Sequence, residues 1–475
     1  MTHVAIVGAY GSAGAAVAGE LADEPGVELT LVDDGEPGGG LCILRGCMPS
    51  KEVISAGAHR FQARHDHRLD GDVPDVDLDA VVDTKDDHVL GFAEHRREAV
   101  HDLAERDDVT FHHETARFVD DRVLAVGDET VEPDYVVVAT GSTLNVPDIP
   151  GIDDVDYMGS ADVLDATSLP DSGVVMGFGY VGLELVPYVA EAGGTDLTVV
   201  EHDARPLDEA DPEFGDDLLD IYEDEWDVDV RRHTYEERVE QTDDGGVRLH
   251  VSDENGDHDV VEAEELFLFT GRRPNVDGLG FEHTSLDPGE GWVRETMQAR
   301  DDDRVFVVGD VNGKEPILHV AKEQGFQAAE NLLAHGRGDH DAIEPYENVH
   351  HHVVFSALGV YPYARVGHSK ASAETTGRDV VHVTREASDD GVFKTKDVPE
   401  GRASLVVDAD DGTVLGYQGL HYHADVMAKT MQLAVEMGLD VRELPDRAYH
   451  PTTPEILDGL VRDASDAVAP TEGDD

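Results

Sequence analysis

A glycine-rich turn between a strand and a helix constrains the fold of this chain more than any other feature. Gly177, Gly179 and Gly182 follow an apolar segment at residues 173–176 and precede a helical segment. In that setting the glycines allow a tight turn, close approach of a pyrophosphate, and close packing of helix on strand. Glu201 ends the next apolar segment, where an acidic side chain can accept a hydrogen bond from a ribose hydroxyl. The pattern predicts a parallel α/β sheet that binds a dinucleotide.

A second, less regular turn of the same kind lies near the N-terminus. Gly8, Gly11 and Gly14 follow the first apolar segment, but Tyr10 is inserted into the usual spacing. Asp33 ends the following strand and offers another acceptor for a ribose hydroxyl. The turn therefore predicts a second dinucleotide site. A glycine turn without a ligand is the alternative.

The only two cysteines of the chain, Cys42 and Cys47, lie five residues apart. An ideal helix would hold them too far apart for a disulfide, because the two Cα atoms must approach within about 7 Å. Gly46 and Pro49 predict a distorted helix start that brings the sulfurs together. A helix N-terminus and the adjacent Arg45 would also lower the pKa of a thiol. The pair predicts redox chemistry, and two unrelated buried thiols are the alternative.

The composition is strongly acidic, with 104 Asp and Glu residues, 35 Lys and Arg residues and a formal net charge of −69. The 40% of hydrophobic residues and the 48 glycines favour a folded protein over a disordered acidic chain. A halophilic protein with a hydrated carboxylate surface explains this composition. Nucleic-acid binding is disfavoured, because the sequence contains no stripe of basic residues. No signal peptide or membrane helix is apparent. We therefore expect a cytoplasmic protein, and no metal site is predicted.

Changes in pattern along the chain predict three segments. The first, dinucleotide-binding segment comprises residues 1–150 and 276–344, and it is interrupted by a second at 151–275. The third segment, residues 345–475, is rich in strands and ends in helices. From Asp463 onward the Ala-, Asp- and Gly-rich sequence predicts a disordered acidic tail.

Two such glycine turns flanking a pair of cysteines resemble the pyridine nucleotide-disulfide oxidoreductases nearly from end to end. Further motifs of that family follow in the same order, at residues 139–142, 271–275, 308–314, 321–325 and 450–455. The resemblance implies an α/β fold with two Rossmann-like dinucleotide-binding domains and a C-terminal α+β dimerisation domain. The chain would then be a homodimeric enzyme.

The resemblance also implies that FAD lies along the first domain. Asp310 would bond the ribityl chain, Thr140 and Gly141 would lie beside the cofactor, and Lys51 would pair with Glu184 near the flavin ring. The residues expected at FAD are Gly8, Gly11, Gly14, Asp33, Lys51, Thr140, Gly141, Gly309 and Asp310.

The second domain would bind NADH or NADPH, with Tyr180 covering the nicotinamide pocket. The expected contacts are Gly177, Gly179, Tyr180, Gly182 and Glu201. Glu201 favours a free ribose hydroxyl, whereas His202 and Arg205 could hold a 2′-phosphate, so the choice of nucleotide stays open.

His450 and Glu455 form a candidate acid–base pair. The prolines around them predict a loop followed by a helix that starts near Glu455, which lets the carboxylate orient one imidazole nitrogen. In the family this histidine serves the opposite subunit, which again implies a homodimer.

The implied reaction is reduction of a small disulfide, with Cys47 facing the flavin and Cys42 facing the substrate. The acidic composition favours bis-γ-glutamylcystine, and Arg45 could attract its carboxylates. The alternative is reoxidation of lipoyl groups within a 2-oxoacid dehydrogenase assembly, and a third possibility is an electron carrier with a structural disulfide. Reduction of mercury or thioredoxin is disfavoured, since those branches of the family need a further C-terminal redox centre.

Overall fold

The computed structural model describes residues 1–447 and 450–468 of the chain. These residues form two compact units. The first comprises Met1–Pro49, Thr84–Asn145 and Arg272–Asn348, and the second comprises Ser50–Asp83, Val146–Gly271 and the residues from Val349 onward.

A five-stranded parallel sheet forms the centre of the first unit. Its strands, in spatial order, are Val305–Val307, Tyr135–Val138, Thr2–Val7, Val27–Val32 and Val109–His112. They are mostly apolar, as expected for a parallel sheet that is covered on both faces. The helices Ser12–Ala22 and Leu318–Arg337 pack closely, because Gly325 leaves no side chain between them.

Smaller elements complete the first unit. Its helices include Leu41–Leu44 and most of Leu78–Ala104, and the helix Cys47–His65 begins in it. An antiparallel sheet consists of Ala116–Asp120, Val123–Val126 and Glu129–Val131, and Ser142–Leu144 pairs with Arg272–Pro274.

A second parallel sheet lies in the second unit. Its strands, in spatial order, are Asp229–Arg231, Asp196–Val200, Ser172–Met176, Glu265–Leu268 and Met158–Gly159. The associated helices are Ser160–Leu164, Tyr180–Gly193 and Pro212–Trp226. A three-stranded antiparallel sheet of Thr234–Gln241, Val247–Asp253 and His258–Ala263 follows.

The C-terminal part of the second unit is an antiparallel sheet with helices. The strands run in the order His351–Val354, Tyr363–Gly367, Val414–Leu420, Arg402–Asp408 and Val380–Glu386. The helices are Lys370–Thr375, Gly391–Lys396, Ala424–Glu436 and Glu455–Ala467. Short 3₁₀ turns occur in both units, at Ile152–Asp154, Phe281–His283, Asp310–Asn312, His340–Ala342, Ala357–Gly359, Ala387–Asp389 and Val441–Glu443.

The expected fold class is confirmed, with two parallel α/β sheets and a C-terminal α+β region. The predicted tail is wrong in its starting point, since the last helix continues to Ala467 and buries Ala464. The spacing of apolar residues on this helix outweighs its acidic composition, and residues 469–475 of the expected tail lie outside the described residues. Within the described part of the chain, no helix combines the length and apolar character that crossing a bilayer requires.

Candidate active site

The N-terminal glycine turn keeps the expected packing despite its extra residue. Gly8 has a φ of +94°, and a Cβ atom there would overlap the carbonyl oxygen of Ala139. A Cβ at Gly14 would overlap the carbonyl oxygen of Gly8, so the helix approaches the strand closely. Gly11 is the N-cap residue of the helix Ser12–Ala22. The first and last glycines are therefore sterically required, as in a dinucleotide-binding turn.

The inserted Tyr10 folds inward instead of disturbing this turn. Its backbone N–H donates to Asp33 Oδ2 at 2.9 Å, and Gly35 N donates to Asp33 Oδ1 at 2.9 Å. The Tyr10 hydroxyl lies 2.8 Å from His101 Nε2, and the ring covers Gly38, where any side chain would collide with it. Burial is the main cause of the raised pKa of the Asp33 carboxyl, and the two N–H donors act against it.

A cavity of about 350 Å³ lies beside this turn. Its size is within the range of small-molecule sites. The lining residues are Tyr10, Gly35, Glu36, Pro37, Gly38, Arg97, His101, Phe111 and His113.

Asp310 and Ser142 join two of the later motifs within the first unit. Ser142 Oγ donates to Asp310 Oδ2 at 2.6 Å, and Arg272 Nε donates to Ser142 Oγ at 2.9 Å. Burial lowers the pKa of the Arg272 guanidinium, and the charge of Asp310 opposes that shift. The Asp310 carboxylate thus has a fixed orientation.

The neighbouring backbone is also held in place. Thr140 Oγ1 donates to the carbonyl oxygen of Asn275 at 2.9 Å. Gly141 and Gly309 have φ values of +69° and +76°, and Gly309 N donates to the buried Gln324 side chain. These contacts bring the motifs at residues 139–142, 271–275 and 308–314 together within the first unit.

The cysteines flank a break between two helices. Cys42 lies in the turn Leu41–Leu44 and is half-buried, whereas Cys47 is the first residue of the helix Cys47–His65 and is exposed. The backbone is tightly packed at this break, since a Cβ atom at Gly46 would lie 3.1 Å from the Cα atom of Cys42. The distorted helix start expected from Gly46 and Pro49 is therefore present.

Arg96 is a residue near Cys42 that no sequence motif marks. It lies on the helix Leu78–Ala104 and is half-buried. Burial lowers the pKa of its guanidinium, and the interaction with Cys42 raises it. Only the packing of this helix against the cysteine turn brings the two residues together.

Lys51 and Glu184 form the expected ion pair within the second unit. Lys51 Nζ lies 2.8 and 2.7 Å from the two carboxylate oxygens. Glu184 Oε1 also accepts the backbone N–H of Phe355 at 3.0 Å, and Lys51 Nζ lies 4.5 Å from the centre of the Phe355 ring. No sequence motif indicates that Phe355 contacts both members of this ion pair.

The second glycine turn follows the regular pattern. Gly177 has a φ of +91°, and a Cβ atom there would lie 2.8 Å from the carbonyl oxygen of Phe269. A Cβ at Gly182 would lie 2.8 Å from the carbonyl oxygen of Gly177. Gly179 caps the helix Tyr180–Gly193, and a Cβ there would meet no atom within 4 Å. This space at a helix N-terminus suits a phosphate group.

Glu201 lies at the end of the strand next to this turn. Its Oε2 accepts the N–H of Phe178 and its Oε1 accepts the N–H of Asp203, both at 2.9 Å. These bonds fix the carboxylate beside the turn.

The two basic residues after Glu201 are already paired with carboxylates. His202 Nε2 bonds Glu236 Oε2, and Arg205 Nε donates to Asp216 Oδ1 at 2.9 Å.

Tyr180 is 42% exposed and donates its hydroxyl to Glu209. Burial, followed by this hydrogen bond, raises the pKa of the Tyr180 hydroxyl. Glu209 also lies 3.3 Å from His352 Nε2 and 3.5 Å from Arg365 Nη1. The tyrosine is thus anchored through its hydroxyl.

His450 and Glu455 meet as the sequence predicts. His450 Nδ1 lies 3.0 and 3.1 Å from the two Glu455 oxygens, and Thr452 N donates to Glu455 Oε1 at 2.9 Å. The hydrogen bond from His450, followed by that from Thr452, lowers the pKa of the Glu455 carboxyl. The His450 side chain is 80% exposed, so its other nitrogen is accessible.

Comparisons with known proteins give matches that cover nearly the whole chain. The model of the pyridine nucleotide-disulphide oxidoreductases matches residues 2–325, and that of their dimerisation domain matches residues 352–460. Dihydrolipoyl dehydrogenase of Halobacterium salinarum is 31% identical over 96% of this chain and 94% of its own length. Mercuric reductase of Streptomyces lividans is 30% identical over 94% of this chain and 92% of its own length.

A solved structure supports the fold independently. The HOCl-induced flavoprotein disulfide reductase RclA from Escherichia coli matches with a TM-score of 0.79 and 21% identity, covering 97% of this chain and 99% of that chain. At this identity the likeness concerns the fold alone.

Proposed function

Because the chain belongs to the pyridine nucleotide-disulphide oxidoreductase family, we propose that it uses NAD(P)H and FAD to reduce a small disulfide through Cys42 and Cys47. The observation that carries this proposal is the placement of both cysteines at a helix break, with Cys42 half-buried and Cys47 exposed at the helix start. The substrate we favour is bis-γ-glutamylcystine.

The first unit fits FAD. The glycine turn leaves the N-terminus of the helix Ser12–Ala22 for a pyrophosphate, and the Asp33 carboxylate beside the cavity can accept a ribose hydroxyl. Asp310 is held by Ser142 for the ribityl chain. We propose that FAD is held by Gly8, Gly11, Gly14, Asp33, Lys51, Thr140, Gly141, Gly309 and Asp310. The FAD-binding domain would comprise residues 1–150 and 276–344.

The second glycine turn would bind the nicotinamide nucleotide, within a domain at residues 151–275. We favour NADH over NADPH, since the Glu201 carboxylate would repel a 2′-phosphate. His202 and Arg205, which could hold that phosphate, are instead engaged by Glu236 and Asp216. Tyr180 would cover the nicotinamide pocket.

The protein residues would carry the thiol chemistry, whereas bound FAD would relay an electron pair from the nicotinamide to the cysteine pair. The Cys42 thiolate attacks one sulfur of the substrate, which forms a mixed disulfide and expels a thiolate that His450 protonates. Cys47 then attacks the Cys42 sulfur, which re-forms the Cys42–Cys47 disulfide and expels the second product thiolate. Glu455 keeps the imidazole oriented. As in the family, His450 of the partner subunit would serve each cysteine pair, within a homodimer formed by residues 345–475.

Oxidation of dihydrolipoamide is the second candidate function. It is favoured by the 31% identity to the dihydrolipoyl dehydrogenase of Halobacterium salinarum. Mercuric reduction is not proposed, because the chain has only two cysteines.

The test uses Cys42→Ser and Cys47→Ser variants in multimolar KCl, with NADH, NADPH and a panel of bis-γ-glutamylcystine, oxidised glutathione and lipoamide. We expect both variants to lose disulfide turnover, while NADH still bleaches the flavin absorbance of Cys42→Ser. Pre-reduced Cys47→Ser should capture one substrate thiol on Cys42, detectable by mass. Retained turnover by Cys42→Ser would contradict the mechanism, and NAD⁺-driven oxidation of dihydrolipoamide as the fastest reaction would select the second candidate.

A further inference from the structure

Three arginines around the cysteine turn differ from most arginines of this acidic chain. Elsewhere arginines typically pair with carboxylates, as Arg402 does with Asp217 at 2.6 Å. Within residues 1–447 and 450–468, no carboxylate forms an ion pair with Arg45, Arg96 or Arg97. In a chain with a formal charge of −69, unpaired guanidinium groups concentrated at one turn call for a physical explanation.

The packing of the helix Leu78–Ala104 places two of these arginines. A Cβ atom at Gly39 would lie 3.0 Å from the Ala93 side chain, so this helix approaches the glycine loop before Cys42 closely. Arg97 Nη1 donates to the carbonyl oxygen of Gly38 at 2.9 Å and fixes the contact.

Arg96, the preceding residue, interacts instead with Cys42. It is half-buried, and its lowered pKa reflects the loss of solvent around the guanidinium. Arg45 is exposed and follows the Cys42 turn directly. A partly desolvated cation, Arg96, is therefore close to the candidate substrate thiol, and an exposed cation, Arg45, follows it three residues later in the chain.

Concentrated salt makes this local arrangement important. At about 1 M salt the Debye length is about 3 Å, so charges that are not in contact with a ligand scarcely affect it. A guanidinium in direct contact still binds a carboxylate through paired N–H donors. Recognition of an anionic substrate would thus depend on an arginine that touches it.

We propose that Arg96, with Arg45 at its rim, forms a carboxylate-binding subsite beside Cys42. This inference rests on the proposed function and narrows its substrate class. A subsite adjacent to the attacking sulfur suits disulfides of cysteine with a free carboxylate, since only two carbon atoms then separate the carboxylate from the sulfur. Neutral dithiolanes such as lipoamide carry no such group.

Matched alkylating reagents test the subsite without requiring turnover. Iodoacetate is anionic and iodoacetamide is neutral, and the ratio of their rates at Cys42 reports on a contacting cation. The reduced holoenzyme is alkylated in multimolar KCl and digested with trypsin, which cleaves after Arg45 and separates the two cysteines. We expect the ratio to fall about tenfold in Arg96→Gln, as loss of one charge-assisted contact implies.

Two control variants make the result specific. Arg96→Lys should recover much of the ratio, because it keeps the charge. Arg97→Gln should leave the ratio near the wild-type value. Any change in the accessibility of Cys42 would alter the rates of both reagents equally and would cancel in their ratio. An unchanged ratio in Arg96→Gln, or an equal fall in Arg97→Gln, would overturn the subsite.

Kinetics with a matched substrate pair give the second readout. The substrates are bis-γ-glutamylcystine and its analogue with both cysteine carboxylates amidated. Arg96→Gln should raise KM about tenfold for the acid and leave KM for the amide unchanged. Equal effects on both would overturn the inference. If the wild type reduced none of the disulfides, the proposed function would be refuted. The alkylation ratio would still decide whether the subsite exists.

Discussion

Glu184 receives four hydrogen bonds: Lys51 Nζ contacts both carboxylate oxygens at 2.8 and 2.7 Å, Phe355 N donates at 3.0 Å, and Ser50 Oγ donates to Oε2 at 3.4 Å. The Glu184 side chain is 15% exposed and that of Lys51 is 32% exposed. A pair so placed is partly desolvated, and its lysine can still reach solvent or a ligand.

Replacing Lys51 by Met should therefore cost more than replacing Glu184 by Gln. The first change leaves a partly buried carboxylate without its cation, whereas the second keeps an acceptor for Phe355 N. Breaking such a pair should destabilise the protein by roughly 1–3 kcal/mol, below the cost of a fully buried pair. Denaturant unfolding in multimolar KCl measures this, and the double variant gives the coupling energy. Equal costs for the two single variants would contradict the unequal environments of the partners.

His450→Ala should lower kcat for disulfide reduction by about 10²–10⁴-fold, the usual contribution of a general acid or base. Glu455→Gln should be milder, because the amide oxygen still accepts from Thr452 N and His450. Rapid-mixing measurements should show unchanged reduction of the flavin by NADH in both variants. A slower flavin reduction would mean that His450 acts elsewhere.

The lowered pKa of Glu455 gives this pair a defined pH dependence. A carboxyl whose pKa is lowered by folding contributes stability above its ordinary value of 4.5, and that contribution is lost as the pH falls through the lowered value. The wild type should therefore lose stability from Glu455 only in acid, and Glu455→Gln should flatten that part of the profile. Thermal unfolding at fixed high salt between pH 3 and 7 would reveal it.

Glu201→Ala should lower kcat/KM for NADH by about tenfold or more, since a charge-assisted bond to the ribose would be lost. Activity with NADPH should rise little, because His202 and Arg205 stay paired with Glu236 and Asp216. Adding Asp216→Ala removes the carboxylate partner of Arg205 and should then improve the use of NADPH. A wild type that already prefers NADPH would refute the role given to Glu201.

Gly8→Ala should destabilise the protein strongly, because the new Cβ atom would overlap the Ala139 carbonyl and the φ of +94° strains any side chain. Gly11→Ala is the matched control: its φ is −64° and the nearest atom to a new Cβ lies 3.3 Å away. We expect a lower thermal midpoint for Gly8→Ala than for Gly11→Ala. The reverse order would mean that the close approach at Gly8 does not limit stability.

The sequence predicted those parts of the site that depend on short spacing. The glycine turns, Glu201 at the end of its strand, and the pairing of His450 with Glu455 all follow from local geometry or family motifs. Arg96, Phe355 and Glu209 were missed, because their positions depend on how distant helices and strands pack. Tertiary contacts of this kind leave no periodic signal within either segment.

The last helix shows the opposite error. Its acidic composition suggested a disordered tail from Asp463, yet apolar residues at helical spacing continue to Ala464 and the helix to Ala467. In a halophilic chain, acidity is a poor indicator of disorder.

The inserted Tyr10 has a consequence for how such turns are recognised and engineered. Gly8 and Gly14 keep their contacts although the number of residues between them has changed. The side chain of the extra residue, Tyr10, is buried against Gly38 and His101. A pattern written as fixed letter positions would pass over this turn. A definition based on which backbone oxygens leave no room for a Cβ atom would find it. The same definition would indicate, when loops are grafted between proteins, the positions at which an extra residue can be tolerated.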